Sequence, residues 1–253
     1  MSTPFMLIAK AGGSDENAEN TCEAFAAVVG LAKAPGTELA LEVDVRLTSD
    51  RKLVALHDAT LDRTTDWRGP VRGFTLERLR TVLAGAHGER IPTLDEVLEV
   101  RGELELVVEA HESDSETAGA LVAWLRGTSA RVRDALIVAS EHDALVHCVR
   151  SANVRVRTAA TSREALGKVL LERVRLDRFA STGHPWLVPE RHRGLAVVTE
   201  RFIRTARRRG EPVLVFTVNE AAQVERLRRA GLNGVFTTRP RALTAALTAV
   251  SAP

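Results

Sequence analysis

The sequence predicts an α/β protein folded as a single (β/α)8 TIM barrel over residues 1–253, and three observations carry that prediction. A chain of 253 residues suits one large domain, since about 250 residues is the usual size of such a barrel. Short apolar runs alternate with stretches of helical period about eight times, the number of strand–helix units that closes the barrel. The polar residues that interrupt the apolar runs fall at the C-terminal ends of the predicted strands, where active groups of these barrels gather. No linker or shift in composition divides the chain.

In chain order, residues 5–9 predict the first strand, which ends on Lys10. A helix over 19–33 follows, its start signalled by Asn17 or Asn20. The second strand, 38–47, contains the strict alternation Leu41-Glu42-Val43-Asp44-Val45-Arg46-Leu47. Period two puts Glu42, Asp44 and Arg46 on one face and the four apolar residues on the other. Two carboxylates side by side in an interior need a cation, and a hard divalent ion is the simplest one. A hairpin with one wet face gives the same alternation, so the strand alone does not decide.

Residues 53–57 form a short run that delivers His57 and Asp58 to the same neighbourhood. Between there and Pro92 lies an insertion (59–92) rich in turn residues, too long for a plain connection, that predicts a lid or subdomain. Thr93-Leu94-Asp95-Glu96 is a capping box opening a helix over 94–101. Strands over 104–110, 135–139, 154–159, 178–181, 213–218 and 234–237 then alternate with helices over 116–126, 143–150, 163–173, 199–209, 221–229 and 241–250. Glu109 and His111 end the third barrel strand. With Lys10, Glu42, Asp44 and His57 they place every polar intrusion at a strand end, which favours a site over a wet hairpin. Three carboxylates suit Mg²⁺ or Ca²⁺ better than a transition metal.

Composition narrows the partners. Thirty-five basic and 33 acidic residues leave a formal net charge of +2, so no global field points to nucleic acid or a membrane surface. The cluster Arg204, Arg207, Arg208 and Arg209 reads as the solvated face of a helix. Cys22 and Cys148 lack the spacing of a metal knuckle or redox pair. The N-terminal MSTPFMLIAK has no leader pattern and no run approaches 18 apolar residues, so a soluble cytoplasmic protein without stable membrane insertion is expected. The oligomeric state is left open.

The residues also carry a resemblance. The pieces Glu19-Asn20-Thr21, Leu41 to Val45, Leu56-His57-Asp58 through Leu61-Asp62-Arg63-Thr64-Thr65, Gly69-Pro70-Val71, Ile91 to Leu94, Thr217-Val218-Asn219, and Gly234 to Thr237 with Arg239-Pro240 resemble the glycerophosphodiester phosphodiesterase family. That family has the TIM-barrel fold of phosphatidylinositol-type phosphodiesterases. The resemblance implies metal-assisted cleavage of a small glycerophosphodiester to an alcohol and a phosphomonoester. Glu42, Asp44 and Glu109 would hold the divalent cation, His57 and Lys10 would be the catalytic groups, and Glu19 and His111 would meet the substrate, although His111 as a simple strand cap fits equally.

The most serious departure falls on strand one, and smaller ones follow. The family's His-Arg-Gly is Lys10-Ala11-Gly12 here, its Glu-x-Lys is Glu109-Ala110-His111, and its Trp before Thr-Val-Asn is Phe216. Lysine and histidine differ by about four pKa units, roughly 10⁴-fold in neutral base at pH 7. Lys10 is therefore expected as a charge facing phosphate or a leaving oxygen rather than as a base. The alternative is a degenerate or repurposed barrel, in which the Lys10 ammonium pairs with Glu42 or Asp44 in the ion's place and the chain binds a ligand or runs a different reaction.

Overall fold

The computed structural model describes residues 5–31, 33–34, 36–85, 87–176 and 182–250. Eight parallel strands form one curled sheet: β1 Phe5–Ala9, β2 Thr37–Leu47, β3 Glu105–Ala110, β4 Leu136–Ala139, β5 Arg157–Thr158, β6 Trp186–Pro189, β7 Val213–Phe216 and β8 Gly234–Thr237. Around it run α1 Cys22–Val29, α2 Leu94–Val100, α3 Ser115–Gly127, α4 Asp143–Ser151, α5 Ser162–Arg173, α6 Glu200–Arg207, α7 Ala221–Ala230 and α8 Pro240–Val250. The hydrogen-bonded path runs β5-β4-β3-β2-β1-β8-β7-β6. Its two ends meet where the Ala160 N–H donates to the Pro185 carbonyl at 2.8 Å. This is the (β/α)8 barrel that the alternation predicts.

Burial follows the period of two. Leu41, Val43, Val45 and Leu47 pack outward into a cluster with Phe25, Val97 and Leu121 of the surrounding helices, while Leu7, Val215 and Val235 do the same on the other side with Phe202 and Leu227. The inward positions make a separate layer of Ile8, Ala40, Val107, Ile137, Leu214 and Phe236. Two residues further along the same inward faces the chain places Lys10, Glu42 and Glu109, and after Glu42 comes Asp44. The polar groups therefore stand directly on an apolar plug, and Glu42 and Asp44 have no measurable exposure.

Three departures from expectation stand out. Helix α1 begins after Thr21, whose side chain accepts from the Ala24 N–H, and not at an asparagine, because Asn20 adopts a left-handed φ of 58° and its side chain turns into the barrel. Strand β6 is Trp186–Pro189. Its flanking prolines read as loop, but the Trp186 N–H is bonded to Pro212 and the Pro185 carbonyl is bonded across the seam; the predicted strand at 178–181 lies outside the described residues. A short helix, Ala130–Asp134, went unpredicted.

The segment 59–92 packs on a small core of its own that includes Leu61, Val71, Leu79 and Ile91. It holds a helical turn (Val71–Gly73), a one-turn helix (Leu76–Leu79) and a two-residue-per-strand hairpin. Its entry is the strand Leu53–Ala55, antiparallel to β2 with Ala55 opposite Val45. That return path sets His57 beside Asp44. Among the described residues no helix is long and apolar enough to cross a membrane.

Candidate active site

Register assembles the carboxylates. Asp44 lies opposite Glu109 and Glu42 opposite Val107 in the parallel β2–β3 pair, so the inward faces of two neighbouring strands bring three carboxylates together. One oxygen from each of Glu42, Asp44 and Glu109 lies within 4.8 Å of the others. Asp44 also belongs to a second group of that kind, with His57 and His111.

The turn after β1 closes the floor. Lys10, Ala11 and Gly12 form a single helical turn in which Ala11 takes a left-handed φ of 50°. Gly12, at φ +77°, lies against α1 so closely that a Cβ there would sit 2.7 Å from the Cβ of Ala24. Only glycine fits that approach. The turn aims the Ala11 N–H at Glu42 Oε2, 2.6 Å away. Glu42 Oε1 is buried with no hydrogen-bond partner among the described residues.

Burial pushes the Glu42 carboxyl well above the usual range, with Asp44 and Glu109 adding to the shift and Lys10 and the Ala11 amide opposing it. Asp44 goes the other way. Burial would raise it, but His111, Asn20 and His57 together hold it below its ordinary value. His111 Nε2 stands 2.6 Å from Asp44 Oδ1, and Asn20 both donates to Asp44 Oδ2 at 2.8 Å and accepts from the Asp44 N–H at 3.1 Å. For His111, burial favours the neutral ring, yet Asp44 and Glu109 raise its pKa above the ordinary value. Lys10 behaves alike: burial opposes its charge, and Glu42, Asp44, Glu109 and Glu19 outweigh that. Among the described residues no ion pair joins the Lys10 ammonium to these carboxylates, so it acts on them through space.

His57 is held from behind. Its Nδ1 lies 2.8 Å from Asp58 Oδ1, so Nε2 is the ring nitrogen that Asp58 does not engage. Arg63 grips both Asp58 oxygens and both Glu19 oxygens, and with His57 it lowers the Asp58 carboxyl to about 2. Glu19 thus reaches the site through Arg63. The two histidine rings stand 4.7 Å apart.

Arg46 fixes both. Its guanidinium donates to the His57 carbonyl at 2.6 and 2.9 Å and to the His111 carbonyl at 3.2 Å. Sequence reading put Arg46 on the right face but missed this clamp, because the two carbonyls lie 11 and 65 residues away. The signal was present in the strand pattern, since an arginine facing a closed barrel needs acceptors there. His184, on the loop before β6, faces Thr158 Oγ1 at 3.4 Å.

The donor set fits a hard divalent cation. Three carboxylates converge, one with a bare buried oxygen, and an added positive charge would relieve their repulsion. Lys10 and the imidazole of His57 stand beside this set at the same barrel mouth.

Comparisons with known proteins agree in direction. The model of the Glycerophosphoryl diester phosphodiesterase family matches residues 11–242. The chain is similar to the glycerophosphodiester phosphodiesterase of Caldanaerobacter subterraneus subsp. tengcongensis, 27% identical over 94% of this chain and 96% of that protein. In fold it resembles the glycerophosphoryl diester phosphodiesterase domain of Rv2277c from Mycobacterium tuberculosis, with a TM-score of 0.81 at 17% identity over 96% and 99% of the two chains. It also resembles an Oleispira antarctica phosphodiesterase in complex with the product sn-glycerol-3-phosphate, with a TM-score of 0.77 at 23% identity over 96% and 97%.

Proposed function

The chain belongs to the glycerophosphoryl diester phosphodiesterase family, and from that premise we propose that it hydrolyses a glycerophosphodiester-like substrate to an alcohol and a phosphomonoester. Glu42, Asp44 and Glu109 would hold a divalent cation, Mg²⁺ or Ca²⁺. The observation that carries the reading is the pairing of Asp44 with Glu109 across β2 and β3, four residues beyond Ala40 and two beyond Val107 of the apolar plug. The product-bound Oleispira antarctica relative supports glycerol phosphate as the product.

A cation held there would supply positive charge that offsets the charge of the phosphate. The chain's own residues do the rest. His57 Nε2 takes a proton from the attacking water as its oxygen bonds to phosphorus and gives that proton to the leaving ester oxygen as its bond to phosphorus breaks, and Asp58, kept ionised by Arg63, holds the ring in the tautomer that leaves Nε2 free. Lys10 remains an ammonium, because the surrounding carboxylates raise its pKa, and it neutralises charge on the phosphate. His111 keeps Asp44 ionised and oriented, and the substrate meets that ring beside His57.

Hydrolysis of glycerophosphocholine with Mg²⁺, with Ca²⁺ and with EDTA tests this reading. Cation-dependent release of choline, lost in Glu42→Gln and His57→Ala, is expected. The degenerate-barrel alternative rests on Lys10 standing where the family has histidine. It predicts no cation dependence and a large loss of stability in Lys10→Ala, and that pair of results would replace the hydrolase reading.

A further inference from the structure

The barrel mouth has two chemically different sides. Lys10 and Glu109 stand at one end of a cavity of about 590 Å³ whose other walls are largely apolar. The register makes the contrast plain. Glu109 of β3 is matched on β4 by Ala139, and across the mouth β7 and β8 present Phe216 and Phe236, edge to face at 6.2 Å.

The apolar wall does not stop at the rim. Leu166 on α5 is 58% exposed, Leu195 in the hairpin after β6 is 54% exposed and Phe216 is 39% exposed, and all three line this same cavity. Glycerol and the small polar alcohols would leave that surface wet. Its volume is that of a pocket for a drug-sized ligand, and Lys10 and Glu109 are part of its lining, so a group that fills it lies beside the place proposed for the phosphate.

We propose that the substrate is a phosphodiester that carries a hydrocarbon chain, as a lysophospholipid does. The phosphate lies at Lys10 and the carboxylates, and the chain runs past Phe216 and leaves the barrel between Leu166 and Leu195. The inference rests on the phosphodiesterase reading for the reacting end only. A chain on the glycerol as an acyl ester and a chain esterified directly to the phosphate present the same chemistry to this wall.

Calorimetric titration tests it with glycerophosphocholine, hexanoyl- and octanoyl-lysophosphatidylcholine, and hexyl- and octylphosphocholine, each below its micelle concentration, alongside turnover of each with Mg²⁺ and Ca²⁺. We expect affinity to rise by up to about fourfold for each methylene buried. The series that gains more identifies whether the chain is borne on the glycerol or esterified directly to the phosphate. In the double variant Leu166→Ser/Leu195→Ser the preference for chain-bearing over chain-free probes should fall at least tenfold. Both positions are exposed, so the fold tolerates the change, and the thermal melt verifies this. Chain-bearing probes that bind no better than glycerophosphocholine, or a preference that survives the double variant, would overturn the proposal. So would concentration-dependent self-association with the chain probes unbound, which would make the patch a dimer face. Chain-dependent binding with no turnover of any probe would uphold the apolar site and overturn the phosphodiesterase reading instead.

Discussion

His111 and Asp44, 67 residues apart in sequence, meet with Nε2 2.6 Å from Oδ1. Asp44 is fully buried and the His111 side chain is 10% exposed, so the contact is made in a poorly solvated place. It explains why the aspartate keeps its charge there while Glu42, two residues earlier on the same strand face, is driven toward its neutral form.

Replacing His111 with Ala should destabilise the protein in EDTA by about 1.5–3 kcal/mol at mildly acidic pH, the usual worth of a hydrogen bond to a charged group. The folded pKa of His111 lies above its ordinary value, so its contribution is complete below the unfolded pKa and is lost as pH rises through the folded one. Asp44, lowered on folding, adds stability above its unfolded pKa that is lost as pH falls through the folded one. Urea denaturation of both proteins at about pH 5.5 and about pH 9 measures this, and an equal difference at both would contradict it.

Cation binding should release a proton. With the Glu42 carboxyl raised well above the usual range by burial and its acidic neighbours, the ion-free protein retains a proton there that the ion must displace, so affinity increases as pH rises through that pKa. Calorimetry of Ca²⁺ and Mg²⁺ binding in two buffers of different ionisation heat counts the protons. Glu42→Gln should abolish binding, yet in EDTA it should be about as stable as the wild type, because a neutral amide replaces a buried carboxyl that is already driven toward its neutral form and has one orphaned oxygen.

Lys10 and His57 should separate in kinetics. His57→Ala removes the proton carrier and should cost 10²–10⁴-fold in kcat, with loss of the limb of the pH profile that the imidazole produces. Lys10→Met should lower kcat/KM without moving that profile, since the raised Lys10 pKa keeps the ammonium charged throughout the neutral range. A profile shifted by Lys10→Met would assign the proton transfer to the lysine.

The two thiols should react unequally. Burial, with Glu96 and Glu23 nearby, pushes the Cys22 thiol up to about 11, whereas Cys148 is exposed. Alkylation at about pH 8 followed by peptide mass mapping should modify Cys148 and leave Cys22 essentially unlabelled, because only the thiolate reacts.

The barrel and the carboxylate set were legible because both are periodic. Alternation in 41–47 fixed the faces, and polar residues falling at strand ends selected the inward face. Where an element broke the period it was missed. Strand β6 is four residues that follow Pro185 and end on Pro189, and the seam that pairs it is set by Ala160, 25 residues before Pro185. Asn20 read as a helix signal, yet its side chain serves Asp44 and Thr21 does the capping.

By itself the sequence determined the (β/α)8 architecture, the family, and the convergence of Glu42, Asp44, Glu109, His57 and Lys10, since strand period and strand order are enough to bring those residues to one mouth. Only the tertiary structure decided how they are charged and held: Arg46 on the two histidine carbonyls, Arg63 behind Asp58, His111 on Asp44, and an apolar wall from Phe216 to Leu166 and Leu195. These depend on contacts between residues far apart in the chain and on how much water each contact excludes, and local sequence encodes neither.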